Sequence, residues 1–232
     1  MAGNSVGCTV MATMAVKNAL VRLLPRLEEA AGQAVMLRVG TIADLQSEIE
    51  RDAAFDVAIL STAAIGRLLS QGFFAAGSPV PVASGGLGIA IPKDATVGPP
   101  NSPADVRSML LDAKRIAMSG NGGSHEAIRS MFQALGVSEA VNDKLLLLSG
   151  IAPPQAIATG QADLGICQVS EIVGVQGIRL AGPLPGRLQV RSHFSAAISR
   201  RALDGFAASD LVRCLISHSS RDDWIVCGLS PA

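Results

Sequence analysis

Four stretches of the chain could hold an anion. At Ala12–Ala15 (with Thr13 and Met14 inside it), Gly40–Thr41, Ser61–Thr62 and Ser119–Ser124, an apolar run ends in small or hydroxyl residues and a helical pattern begins. The first turn of a helix carries N–H groups without intrahelical partners and a partial positive charge. Small residues let an anion approach those N–H groups, and hydroxyls donate to it directly. Such a site holds a small oxyanion or carboxylate without lysine or arginine. Taken singly, each stretch reads as a strand–helix connection with an N-cap. Taken together on one side of two α/β blocks, they read as a binding cleft.

The sharpest of these is Gly122-Gly123-Ser124. No lysine follows it, so it is not a nucleotide P-loop, and Gly85-Gly86-Leu87-Gly88 lacks the dinucleotide order. No cofactor is expected. His125, directly after the glycines, either faces the ligand as a donor or base or sits in solvent on the first helical turn. Gln168 and Glu171 straddle the end of the apolar run Leu164–Cys167. Either could meet a ligand, and either could cap the following helix. His193 and His218 are isolated, and no Cys/His cluster has metal-ligand spacing, so no metal site is expected. No G-x-S-x-G elbow marks a nucleophile. Cys8, Cys167, Cys214 and Cys227 form no C-x-x-C pair and read as small buried hydrophobes. A Cys214–Cys227 bridge is left open, since spacing does not decide it.

The elements that would position these residues follow from periodicity. Cys8–Met11 reads as a strand. Val16, Ala19, Leu20, Leu23, Leu24 and Leu27 recur at helical spacing, with Pro25 expected to kink or end the helix early and Gly32 to stop it. Val35–Val39 and Asp56–Leu60 are further strands, each followed by a helical face. Alternation of this kind predicts a mostly parallel sheet covered by helices, with the loops at the carboxyl ends of the strands on one edge. Gly85-Gly86 then precedes a strand and suggests a crossing into a second block. Ser102 and Pro103 start a helix. Arg115–Met118, Leu145–Leu148 and Ala162–Cys167 are strands, Ile128–Leu135 a helix ending at Gly136, and Gln155–Thr159 a short helix. Phe194–Ile198 returns as a strand, and Leu203–Val226 is helical until Gly228. The fold class is α/β.

Composition narrows the function. The 232 residues are 49% hydrophobic and 16% charged, enough for real cores and too apolar for disorder. Lysine plus arginine equals aspartate plus glutamate, 19 each, with no basic stripe and no tyrosine, so nucleic acid is not an expected partner. No run approaches a membrane span, and Met1–Val10 lacks the layout of a secretory signal. As written the chain reads as cytoplasmic, or as periplasmic if a signal has been removed.

The order of these features resembles the type 2 periplasmic-binding-protein fold, in its molybdate-binding branch. The carriers are Ala15–Leu20, Phe55–Ser61, Ser102–Leu111 with Ile116–Ser119, and Asp163–Ile166. The resemblance implies two lobes, 1–82 plus 196–232 and 83–195, the latter including two hinge crossings, with a small anion between them. It implies ligand positions at Ala15, Thr41, Ser124, Gly150 and Gln168, beside the loop residues Thr13, Met14, Ser61, Gly122 and Gly123 read above as candidate contacts. The family's first serine falls at Ala15 and its tyrosine at Gln168, which points away from molybdate toward another anion. Gly122–Ser124, Cys167–Ile172 and Ala181–Pro185 are similar to a narrower branch that includes the bacterial aconitate isomerases. That likeness implies, as the alternative to a receptor, allylic proton transfer on a small di- or tricarboxylate, with His125 and Glu171 as candidate bases. A transporter permease is an expected partner only for an exported form, and the chain is expected as a monomer or weak homodimer.

Overall fold

A computed structural model of the protein describes residues 7–149 and 151–232. The chain divides into two compact units. One comprises Met1–Ser84 and Ser192–Ala232, the other Gly85–Arg191.

The first unit opens with three strand–helix pairs: β1 (Cys8–Thr13) and α1 (Lys17–Ala31), β2 (Val35–Gly40) and α2 (Ile42–Glu50), then β3 (Val57–Ser61) and α3 (Thr62–Ser70). A 3₁₀ turn, Met14–Val16, joins β1 to α1. α1 buries Ala19, Leu20, Leu23 and Leu27, one stripe of a helix. Contrary to expectation, Pro25 neither ends α1 nor shortens it. The proline lies on the exposed side, and the carbonyl that loses its donor belongs to Val21, itself 53% exposed, where water can serve it. The helix stops at Gly32, whose φ of 64° is left-handed. β1 pairs in parallel with both β2 and β3, so the three strands run the same way.

β4 (Val80–Pro92) carries the chain into the second unit. Its strand was expected only after Gly85-Gly86; it instead runs straight through them. Gly86 is needed because the amide of Gln189 lies against the strand there. Gln189 accepts from Leu87 N at 2.7 Å and donates to Leu87 O at 2.9 Å, and a Cβ on residue 86 would sit 2.8 Å from its Oε1. The second unit continues with α4 (Pro103–Asp112), β5 (Ile116–Ser119), α5 (Gly122–Ala134), α6 (Ser138–Asn142), β6 (Leu145–Leu148), α7 (Pro153–Ala158), β7 (Leu164–Gln168), α8 (Val169–Ile172) and β8 (Ile178–Pro183). Ser102 and Asp105 form a full capping box at the start of α4, with Pro103 in its first turn. The strand order is β8-β4-β7-β5-β6; β5 is parallel to β6 and β7, and β4 antiparallel to β7 and β8. Ile89, Ile116, Met118, Ile128, Phe132 and Ile166 centre one face of its core.

β9 (Arg191–Ile198) returns the chain to the first unit, antiparallel to β3. The tail was expected as one helix from Leu203; it forms α9 (Gly205–Leu215), a 3₁₀ turn His218–Ser220, α10 (Arg221–Val226) and the short strand β10 (Ser230–Pro231). Serines break it. The hydroxyls of Ser217 and Ser220 both donate to Cys214 O, at 2.8 and 2.6 Å, offering that carbonyl an alternative to the helical ladder. Trp224 is fully buried and donates Nε1–H to Leu215 O at 3.0 Å. The strand order here is β2-β1-β3-β9-β4, with β10 also on β4. Buried Asp56 ties the unit together: Oδ2 accepts from Thr9 N at 2.8 Å and Oδ1 from Leu203 N at 2.9 Å. All four cysteines are free, so the Cys214–Cys227 bridge is not formed.

Candidate functional site

In the first unit, the parallel strands finish level with one another. Thr13 lies opposite Gly40, and Ala12 opposite Ile59. Thr13, Thr41 and Ser61 therefore share the carboxyl edge of one sheet. Thr13 and Ala15 are almost fully buried, and Met14 is half-buried in the 3₁₀ turn. Thr41 caps α2, accepting from Asp44 N at 3.1 Å, while its own O–H donates to Asp44 Oδ2 at 2.7 Å. That proton is engaged, and Asp44 must release it before Thr41 can donate to an anion. Ser61 caps α3 by accepting from Ala64 N at 3.2 Å, which leaves its hydroxyl hydrogen able to donate.

Two hydroxyls at this edge escaped the sequence reading as a pair. Thr62 Oγ1 and Ser195 Oγ lie 2.9 Å apart. Ser195 is 2% exposed. The available signal was a lone serine inside the apolar run Phe194–Ile198, since a buried hydroxyl needs a partner.

In the second unit, Ser119 lies opposite Leu148 at the ends of β5 and β6. Gly122, Gly123 and Ser124 were expected in a loop; they form the first turn of α5, after the extended residue Asn121. Ser119 Oγ donates to Asn121 O at 3.0 Å. His125 Nδ1 sits 2.9 Å from Ser119 O. A carbonyl only accepts, so Nδ1 carries the hydrogen, and in the neutral form of the ring Nε2 presents the lone pair. Gly150 lies outside the described residues. Gln168 is buried at the end of β7 and starts α8 without a side-chain capping bond. Half-buried Glu171, on α8, has its carboxyl pushed up to about 7 by loss of solvent. The neighbouring thiol of Cys167 is driven well above the ordinary range, first by burial and then by Glu171.

Each unit thus offers an edge of helix starts and hydroxyls with no lysine or arginine among the residues singled out. The second unit adds an imidazole with a fixed tautomer and a carboxyl poised near neutrality. Among the described residues no group of three or more His, Cys, Asp or Glu gathers as a metal site, and no helix is long and apolar enough to cross a membrane.

Paired α/β units joined through β4 and β9 define a periplasmic-type solute-binding fold. The molybdate-binding protein of Azotobacter vinelandii shares it with a TM-score of 0.78 at 17% identity, covering 96% of this chain and 98% of that one. The sulfate-binding protein SubI of Mycobacterium tuberculosis matches with a TM-score of 0.71 at 14% identity, over 97% and 86% of the two chains. The protein belongs to the bacterial extracellular solute-binding protein family, whose signature spans residues 8–224. It is also 22% identical to an aconitate isomerase of a Pseudomonas species, over 96% of this chain and 87% of that enzyme.

Proposed function

We propose that the protein binds a small anion, a di- or tricarboxylate rather than molybdate, through the carboxyl edges of its sheets. The observation that carries this reading is the edge chemistry of each unit. Helix starts and hydroxyls at Thr13–Ala15, Ser61 and Gly122–Ser124 can neutralise negative charge with fixed dipoles. Ala15 offers no hydroxyl where the molybdate-binding branch has one, and Gln168 brings an amide where that branch has a phenol. An amide both donates and accepts, which suits a carboxylic ligand carrying oxygens of both kinds. Membership of the solute-binding family favours a receptor role, with a transporter permease as partner when the protein is exported.

A second reading is supported by His125 and Glu171. His125 Nε2 is left as a lone-pair base by the bond from Nδ1 to Ser119 O, and Glu171 exchanges a proton near neutral pH. An isomerase of an unsaturated tricarboxylate needs such a group. The base takes a proton from the allylic carbon, the double bond shifts by one position, and the proton returns at the far carbon. No redox partner is required. The likeness to an aconitate isomerase supports this chemistry.

A thermal-shift series with molybdate, tungstate, sulfate, citrate and cis- and trans-aconitate tests the ligand class. A ligand at one hundred times its Kd stabilises the fold by about 2.7 kcal/mol. Stabilisation by citrate or an aconitate is the expected result, and stabilisation by molybdate or tungstate alone would overturn the carboxylate reading. Interconversion of cis- and trans-aconitate, followed by ultraviolet absorbance, then separates receptor from isomerase. With turnover, His125→Gln and Glu171→Gln should lose activity while retaining the thermal shift.

A further inference from the structure

A separate cavity of about 260 Å³ opens on the first unit at the opposite edge of its sheet, where β1 and β3 begin and β9 ends. A strand's length, roughly 15 Å, separates it from Thr13 and Ser61. Its apolar lining comes from Ile49, Phe55 and Phe73, with Phe55 buried edge-to-face against Phe74. Its lining carries two aspartates and two arginines, Asp52, Asp56, Arg200 and Arg201, which balance in charge but are not all paired. Asp56 uses both oxygens on backbone N–H groups, and Arg201 is paired with Asp52 at 2.8 Å. Arg200 has no carboxylate within ion-pair distance among the described residues. Its backbone N–H donates to Phe73 O at 3.0 Å, and an added Cβ on Gly72 would lie 3.5 Å from its Nη1. The guanidinium therefore rests over Gly72, at the mouth of the cavity. Asp52, which holds Arg201 aside, has a φ of 61° and is the one non-glycine residue with positive φ among those described. Asp52 follows the end of α2, where a helix commonly has glycine, and its exposed carboxylate pairs with Arg201.

We propose that this cavity is a second binding site, for a small organic monoanion with a flat apolar body, of the aryl carboxylate type. The ring lies on Phe73, and the carboxylate meets the Arg200 guanidinium in a two-pronged bond, the geometry for which that planar fork is suited. Water leaves an apolar floor and an unpaired cation gains its counter-charge in the same step. Because the site stands on residues of the first unit alone, it does not depend on the function assigned to the carboxyl edges.

The test is ¹⁹F NMR line broadening with 4-fluorobenzoate and its neutral counterpart 4-fluorobenzyl alcohol, on the full chain. The expected result is saturable broadening of the carboxylate, with the alcohol about tenfold weaker. Arg200→Gln should weaken the carboxylate by a similar factor and leave the alcohol unchanged. Ala54→Trp, at an exposed position on the cavity wall, should block both; circular dichroism checks that each variant is folded. No broadening by the unaltered protein at millimolar ligand would overturn the site. Equal binding of acid and alcohol would overturn the role of Arg200. Full binding in both variants would place the probe elsewhere and overturn the proposal.

Discussion

Replacing Glu171 by glutamine should stabilise the protein, and by an amount that depends on pH. The carboxyl is raised from its ordinary 4.5 to about 7 because burial disfavours its charged form. Below pH 4.5 the group is protonated in both the folded and unfolded states and contributes no pH-dependent difference. Between 4.5 and 7 the unfolded chain releases the proton while the folded chain keeps it, so folding grows less favourable as pH rises. The slope is about 1.4 kcal/mol per pH unit, which accumulates to about 3 kcal/mol above pH 7. Glutamine has nearly the same shape and nothing to ionise. Urea unfolding of both forms at pH 4, 5.5, 7 and 8 should therefore show a stability gap that is small and flat at the acid end. The gap should widen to about 2–3 kcal/mol at pH 8, with unchanged m-values. A gap of the same size at every pH would refute the reasoning, because an ionisation cannot act without pH dependence. So would a gap that closes as pH rises, which would mean that the folded state favours the carboxylate.

Three further outcomes follow from geometry. Asp56→Ala leaves Thr9 N and Leu203 N without their acceptor and should cost about 3 kcal/mol or more, read by urea unfolding at pH 7. Ser102→Ala removes half of the capping box on α4 and should cost about 1 kcal/mol by the same measurement. Gly165→Ala places a methyl 2.5 Å from Ile157 Cδ1 and should cost about 1–2 kcal/mol; pairing it with Ile157→Val should recover most of the loss.

Local patterns were legible because their causes are local. The stripe of α1, its stop at Gly32 and the Ser102–Asp105 start of α4 each depend on residues within two turns of one another. The edge positions of Thr41, Ser61 and Ser119 followed from the alternation of strands and helices. What was not legible came from distant partners. Gly85-Gly86 suggests a crossing before the strand until Gln189, about a hundred residues later, is seen to need the space at Gly86. Pro25 looks like a breaker until it is known which side of α1 faces water. The Thr62–Ser195 bond joins residues 133 positions apart. The capture of Thr41's proton was readable in principle, since Thr41-x-x-Asp44 has the spacing of a capping box, but a donor to a ligand and a donor to a cap look alike in sequence. Arg200 and Arg201 are adjacent and alike in sequence, and the Asp52 contact distinguishes one from the other.

The position of β9 between β3 and β4 bears on how the protein is made. A ribosome delivers the chain from its amino end, and the first unit's sheet stays open in the middle until Ser192–Ala232 has emerged. Gly85–Arg191 is complete before then and can fold while its neighbour waits. Until β9 arrives, the flanks of β3 and β4 are unpaired edges open to other chains. Trp224, the single tryptophan, enters the core of the late-finishing unit, so its fluorescence times the closing of that gap. The interval between synthesis of β4 and of β9 is where a nascent chain of this design is most exposed to misassembly, and where a chaperone would have most to protect.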